Sequence, residues 1–168
     1  MWPRSPCPYR MHPDAILPLF QVLEGMADKP AYYYAQSGVI PYQRGEDGGW
    51  RVLLITSNKG KRWVIPKGIV EPGDTSAESA AEEAWEEAGI RGRVHEPAVG
   101  RYEYEKWGGV CDVEVFLMRV DQVADEWDES HRDRRWFDPD NTAEKMRERD
   151  LAALIRAVPR MLPTIEQR

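Results

Sequence analysis

The sequence predicts a single α/β domain (α+β in some schemes), because strand-like segments flank a central helix and a second helix closes the chain. Its 168 residues sit near the common size of one domain and are too few for two comfortable ones. With 42% hydrophobic and 31% charged residues, the composition is that of a soluble globular chain. No apolar run approaches the ~18 residues that a membrane-spanning helix needs. The net charge of −6 argues against broad, nonspecific nucleic-acid binding but leaves room for a local basic patch that holds a phosphorylated ligand.

Residues 1–30 read as an N-terminal tail and lead segment. The opening MWPRSPCPYRMHP is rich in proline and lacks the apolar core of a secretory signal, so a cytoplasmic location is expected, with Met11 as an alternative start. Ala15 to Met26 reads as a short helix or turn-rich lead broken by Pro18. The domain itself is expected over residues 31–160. Tyr32 to Tyr42 reads as a strand, Gly45 to Gly49 as a turn and Trp50 to Thr56 as a second strand, which together make a hairpin. Trp63 to Pro66 is a short apolar strand before the central helix, and Arg91 to Val99, Gly100 to Tyr104 and Val110 to Val120 are strands after it. Asn141 to Pro159 has helical periodicity in Met146, Leu151, Leu154 and Ile155, with a cap at Asn141 or Thr142. Residues 161–168 read as a C-terminal tail. Cys7 and Cys111 form no disulfide framework and no metal-ligand spacing, so both are expected to be reduced and structural.

The central helix is the most informative segment. Residues 68 to 90 hold seven carboxylates and no Lys or Arg, flanked by Lys67 and Arg91. Thr75 with Glu78 reads as a capping box and Gly89 as a left-handed stop. At about 100° per residue, Ala77, Ala80, Ala81, Ala84 and Ala88 fall on one narrow stripe that can press onto a sheet. Glu83, Glu86 and Glu87 fall on a neighbouring arc, so three carboxylates point into one volume. Like charges so placed call for a counter-ion, and an all-oxygen ligand set favours magnesium, manganese or calcium over zinc.

Before this helix stands a glycine-bounded turn, Gly68-Ile-Val-Glu-Pro-Gly73, and before that Lys61-Arg62-Trp63-Val64-Ile65-Pro66-Lys67. Loop, cap, clustered carboxylates and terminal glycine, in this order, resemble the Nudix box. Laid on this chain, the family pattern falls on Gly68, Asp74, Glu82-Glu83, Ala84, Glu86-Glu87, Gly89 and Ile90. Asp74 stands where the pattern has Glu, and Glu82 where it has an Arg that orients neighbouring acids by ion pairing. Lys67 or Arg91 is positioned in sequence to supply the missing cation.

The resemblance implies an α/β/α sandwich around a central mixed β-sheet and a hydrolase that cleaves a pyrophosphate bond. It implies Mg2+ or Mn2+ held by Glu83, Glu86 and Glu87, with Glu83 and Glu87 as direct ligands and Glu86 as ligand or positioner. Glu83 and Glu86 are thereby expected in the catalytic step, with Glu114 on the Val110 to Val120 strand as the expected general base. Lys59, Lys61, Arg62, Lys67 and Gly68 are expected to meet a phosphate-rich substrate, while Asp74, Glu82 and Gly89 belong to the structural motif. The stretch RVLLITSNKGKRWVIPKG with the later RRWFDPD is similar to the branch that hydrolyses diphosphoinositol polyphosphates and diadenosine polyphosphates. His131, Arg132, Arg134 and Arg135 either add phosphate contacts or face water, and Tyr102, Tyr104 and Trp107 either stack on a base or pack in the core or at its rim. An enzyme trimming RNA 5′ ends and a non-catalytic binding module are the alternatives, the second prompted by Glu82.

Overall fold

A computed structural model of the protein describes residues 29–167. A 3-10 turn, Ala31–Tyr34, leads into β1 (Ala35–Arg44) and β2 (Trp50–Thr56), followed by two short strands, β3 (Trp63–Val64) and β4 (Lys67–Ile69). The helix α1 (Ser76–Ala88) comes next, then the long hairpin β5 (Ile90–Lys106) and β6 (Gly109–Val123), and β7 (Arg134–Phe137). Two helices, α2 (Pro139–Glu144) and α3 (Arg149–Ile165), end the described chain.

All seven strands join one mixed sheet ordered β3-β2-β1-β6-β5, with β4 paired to β1 and β7 to β2. β1 and β6 run parallel, and the other pairs are antiparallel. Along β1 every residue from Gln36 to Tyr42 is buried, as expected of a strand covered on both faces. One face carries Val39, Ile55, Phe116 and Met118 beneath the alanines of α1. The other carries Ile40, Leu54, Val115 and Leu117 beneath α2 and α3, through Ala143, Leu151, Ile155 and Leu162. This is the expected α/β/α sandwich on a mixed sheet.

β1 serves two partners on one edge: its end at 42–44 pairs with β2, and its start at 36–38 pairs with β4. The chain between β2 and β4 must therefore part from the sheet, and a cleft opens beside that divergence.

Several boundaries differ from the sequence reading. The first strand begins at Ala35, because Ala31–Tyr34 curls into a 3-10 turn that Tyr34 pins by donating its hydroxyl proton to the Trp107 carbonyl, 3.0 Å away. The two segments read at 91–104 form one strand, β5, with a register shift between His95 and Gly100. The terminal helix is two helices, and the first is capped by Asp138, whose carboxylate accepts from the Asn141 amide at 2.9 Å, in place of Asn141 or Thr142. The second helix passes Pro159 and Pro163 and runs to Ile165. Residues 161–165, read as tail, are thus packed structure: Leu162 is fully buried. Cys111 is a buried free thiol, as expected. The lead at Ala15 to Met26, Met11 and Cys7 lie outside the described residues. Among those described, no helix is long and apolar enough to cross a membrane.

Candidate functional site

The acidic segment forms its helix for the local reasons its sequence contains. The Thr75 hydroxyl accepts from the Glu78 amide, and the Glu78 carboxylate accepts from the Thr75 amide at 2.8 Å, closing the capping box. Gly89 sits at φ 62°, and a side chain there would strike Trp127 and Arg134. Ala80, Ala84 and Ala88 are fully buried, with Ala77 nearly so. Small residues let the helix lie close to the sheet, which fixes where its flanks point.

Those flanks divide the carboxylates. Glu83 and Glu87, one turn apart, line a cleft of about 440 Å³. Glu82 and Glu86 are exposed and border a separate depression with Trp85 and Arg91. The three-carboxylate convergence expected from the helical wheel is therefore a facing pair with Glu86 on the adjoining flank. The same cleft is lined by the cations Lys67, Arg62 and Lys106, by Gln36, Tyr104 and Trp107, and by the further acids Glu71 and Glu105.

The paired acids have different surroundings. Glu87 accepts from the Lys67 backbone amide at 2.9 Å through one oxygen and from Arg132 at 2.8 Å through the other. Burial raises its pKa, against the lowering effect of these two donors. Glu83 has no hydrogen-bond partner among the described residues. Its carboxylate lies over Gly68, where an added Cβ would come within 1.8 Å of Oε1. Burial first, then the charges of Glu87 and Glu86, push Glu83 up to about 7. Desolvation likewise pulls Lys67 down to about 8; its ammonium donates to the Tyr104 hydroxyl at 2.8 Å. Tyr104 in turn donates to Gln36 at 2.7 Å.

A cation fits this arrangement. A carboxylate that resists ionisation because it is buried beside other acids, is free of donors and is cradled by a glycine has the chemistry of an oxygen ligand. Among the described residues no group of three His, Cys, Asp or Glu side chains forms a ready cage. Two carboxylates with open positions around them suit Mg2+, which keeps several waters and takes few protein ligands.

The other expected residues fall into place unevenly. Arg62, Lys67 and Gly68 line the cleft, and Arg62 pairs with Glu148 at 3.7 Å. Lys59 and Lys61 are exposed on the turn and are not part of its lining. Glu114 pairs in register with Ser37 and Arg101, and its carboxylate meets Arg101 at 3.4 Å. Strand residues alternate faces, so Glu114 shares the face of Phe116 and Met118 that packs under α1, and it is not part of the cleft lining. Asp74 is exposed in the turn before the cap. His131 contacts Asn58, and Arg135 extends over Trp63. Arg134 donates to the Ala88 carbonyl at the end of α1 while stacked on Trp127. Tyr102 is core, whereas Tyr104 and Trp107 reach the cleft.

Two residues of the site escaped the sequence reading. Arg132, expected at a phosphate or in water, is buried against Glu87 and Glu129. Glu129 was not singled out, yet its charge bears on both Glu83 and Glu87. It sits in the acidic stretch 125–130, where no spacing distinguishes it from its neighbours.

Fold and site together define an α/β domain built on a glycine loop and an acidic helix whose Glu83 and Glu87 share a cleft with Arg62, Lys67 and Lys106. The chain belongs to the Nudix family: the NUDIX domain pattern matches residues 35–158. It is 34% identical over 124 residues to Nudix hydrolase 4 of Arabidopsis thaliana, covering 68% of this chain and 59% of that protein. It is 32% identical over 92 residues to diphosphoinositol polyphosphate phosphohydrolase 2 of Rattus norvegicus, covering 51% and 49%. The chain thus spans about 60% or less of the length of these curated relatives. Among solved structures, a C. elegans Ap4A hydrolase superposes with a TM-score of 0.64 at 24% identity, covering 76% of this chain and 97% of the other, a likeness of fold.

Proposed function

We propose that the protein is a divalent-metal-dependent hydrolase that cleaves a pyrophosphate bond in a phosphate-rich small molecule of the diadenosine polyphosphate or diphosphoinositol polyphosphate type. The observation that carries this reading is that two carboxylates, Glu83 and Glu87, and the cations Lys67, Arg62 and Lys106 line one cleft. A bound Mg2+ or Mn2+ supplies charge neutralisation at phosphate oxygens and a lowered pKa for its water. Glu87, held at both oxygens, presents a fixed carboxylate. Glu83, free of donors and supported by Gly68, is able to adjust to the ion. Lys67 and Arg62 bind and orient the phosphates, and the Tyr104–Gln36 contact keeps the Lys67 ammonium at the wall. Exposed Glu86 tunes Glu83 by its charge. Proton removal is assigned to the acids that line the cleft, with Glu114, on the α1 face of the sheet and paired with Arg101, as the alternative base.

The test is phosphate release with Mg2+ and with Mn2+ across diadenosine polyphosphates, diphosphoinositol polyphosphates, nucleotide sugars, ADP-ribose, nucleoside triphosphates and capped RNA. Glu87→Gln is expected to reduce turnover by at least about 10–100-fold, the range seen when a metal site loses a supporting group. Turnover that survives this change with unaltered metal dependence would sink the site. No turnover of any substrate points to a binding module, and selective action on capped RNA to the RNA 5′-end alternative.

A further inference from the structure

The acidic helix carries its own puzzle of charge. Position 82, where the box pattern has a cation, is an exposed Glu on the flank away from the cleft. The two nearby cations that the sequence offers as substitutes are otherwise engaged: the Arg91 guanidinium lies 3.9 Å over Trp85, and the Lys67 ammonium is bound to Tyr104. Only Lys67's backbone amide reaches an acid of the pair.

The cation in contact with the site comes from 45 residues downstream of Glu87. Arg132 is 8% exposed. Its guanidinium donates to Glu87 Oε1 at 2.8 Å, to Glu129 and to the Thr56 carbonyl at 3.0 Å. These contacts tie together the acidic helix, the end of β2 and the loop before β7. An Arg suits the task because its planar fork can serve three acceptors in different directions, which a single ammonium cannot do with the same geometry. It also stands at the C-terminal end of α1, where the helix dipole favours a positive charge. With Oε1 taken by Arg132 and Oε2 by the Lys67 amide, the plane of the Glu87 carboxylate is fixed and its remaining lone pairs are aimed.

We propose that Arg132 is the positioning cation of the carboxylate pair, supplying from the loop before β7 the ion pairing that Glu82 cannot supply from within the helix. This rests on the reading of Glu83 and Glu87 as metal ligands. Arg132 also lines the cleft, but the role assigned to it is positioning, exerted through Glu87.

Mn2+ binding, followed by calorimetry and by the paramagnetic resonance of free Mn2+, tests this without recourse to turnover. Arg132→Ala is expected to weaken Mn2+ binding about 10–100-fold, the usual cost of removing a group that orients a metal ligand. Added guanidinium at low millimolar concentration is expected to recover part of the loss, which a purely structural role would not show. Arg132→Lys is expected to fall between, and carries the test should the alanine variant fail to fold. Wild-type affinity in both variants, or a loss in Arg132→Ala that guanidinium leaves untouched, overturns the role of Arg132 alone. Wild-type protein that does not bind Mn2+ overturns the metal reading of Glu83 and Glu87, and this inference with it.

Discussion

Glu83 and Glu87 stand one helical turn apart and carry opposite burdens, one free of hydrogen bonds and the other held at both oxygens. The free acid makes the stability of the metal-free protein depend on pH. The ordinary value of its carboxyl is 4.5, and folding raises it to about 7. Relative to an unperturbed acid, the protonated group's advantage is fully present below pH 4.5 and is lost as pH rises through about 7. Thermal unfolding in chelator should therefore show stability declining over that window, and Glu83→Gln should flatten the decline. A second expectation concerns Gly68→Ala, whose Cβ would meet the Glu83 carboxylate at 1.8 Å. That variant should weaken Mn2+ binding while leaving the helix content unchanged by circular dichroism. At this scale the pair was legible, because i and i+4 spacing is a property of the helix alone. Arg132 was not, since its direction depends on the path of the loop after β6, and a basic residue in a basic stretch carries no mark of whom it will meet.

Whole elements were legible where their signals are local. In α1 the cap at Thr75, the alanine stripe and the stop at Gly89 lie within the segment they define; cap and stop are as expected, and four of the five alanines are buried, Ala81 only partly. β2, from Trp50 to Thr56, needed only its apolar run and the turn before it. β4 and β7 were missed: they are short, and each is a strand only by virtue of a distant partner, β1 for the one and β2 for the other. The last helix was cut short for a different reason. The sequence reading ended it at Pro159, but packing of Val158 and Leu162 onto the sheet carries the helix through Pro159 and Pro163. Leu162→Ala should consequently cost about 2–5 kcal/mol, as large-to-small changes at fully buried positions do. A denaturation midpoint indistinguishable from wild type would return residues 161–165 to the tail.

At the scale of the molecule, the class of fold was legible and the assembly of the site was not. Strands before and after one capped helix suffice for a sandwich, but the pairing of β1 parallel to β6 decides which strand residues share a face. That pairing sets Gln36 beside Tyr104 in the cleft and puts Glu114, paired with Arg101, on the α1 face outside the cleft lining. The divergence of β2 and β4 along one edge of β1 opens the space into which Glu83 and Glu87 project. Glu83 and Glu87 come from α1, Arg62 and Lys67 from the segment before it and Lys106 from the end of β5, and only the folded sheet brings Lys106 to the same cleft. The central claim is that this facing pair holds the metal. Anomalous diffraction from crystals soaked in Mn2+ tests it most directly: a peak is predicted within coordination distance, about 2.0–2.2 Å, of both the Glu83 and Glu87 carboxylates. A Mn2+ peak elsewhere, or none near either carboxylate at millimolar Mn2+, would contradict it.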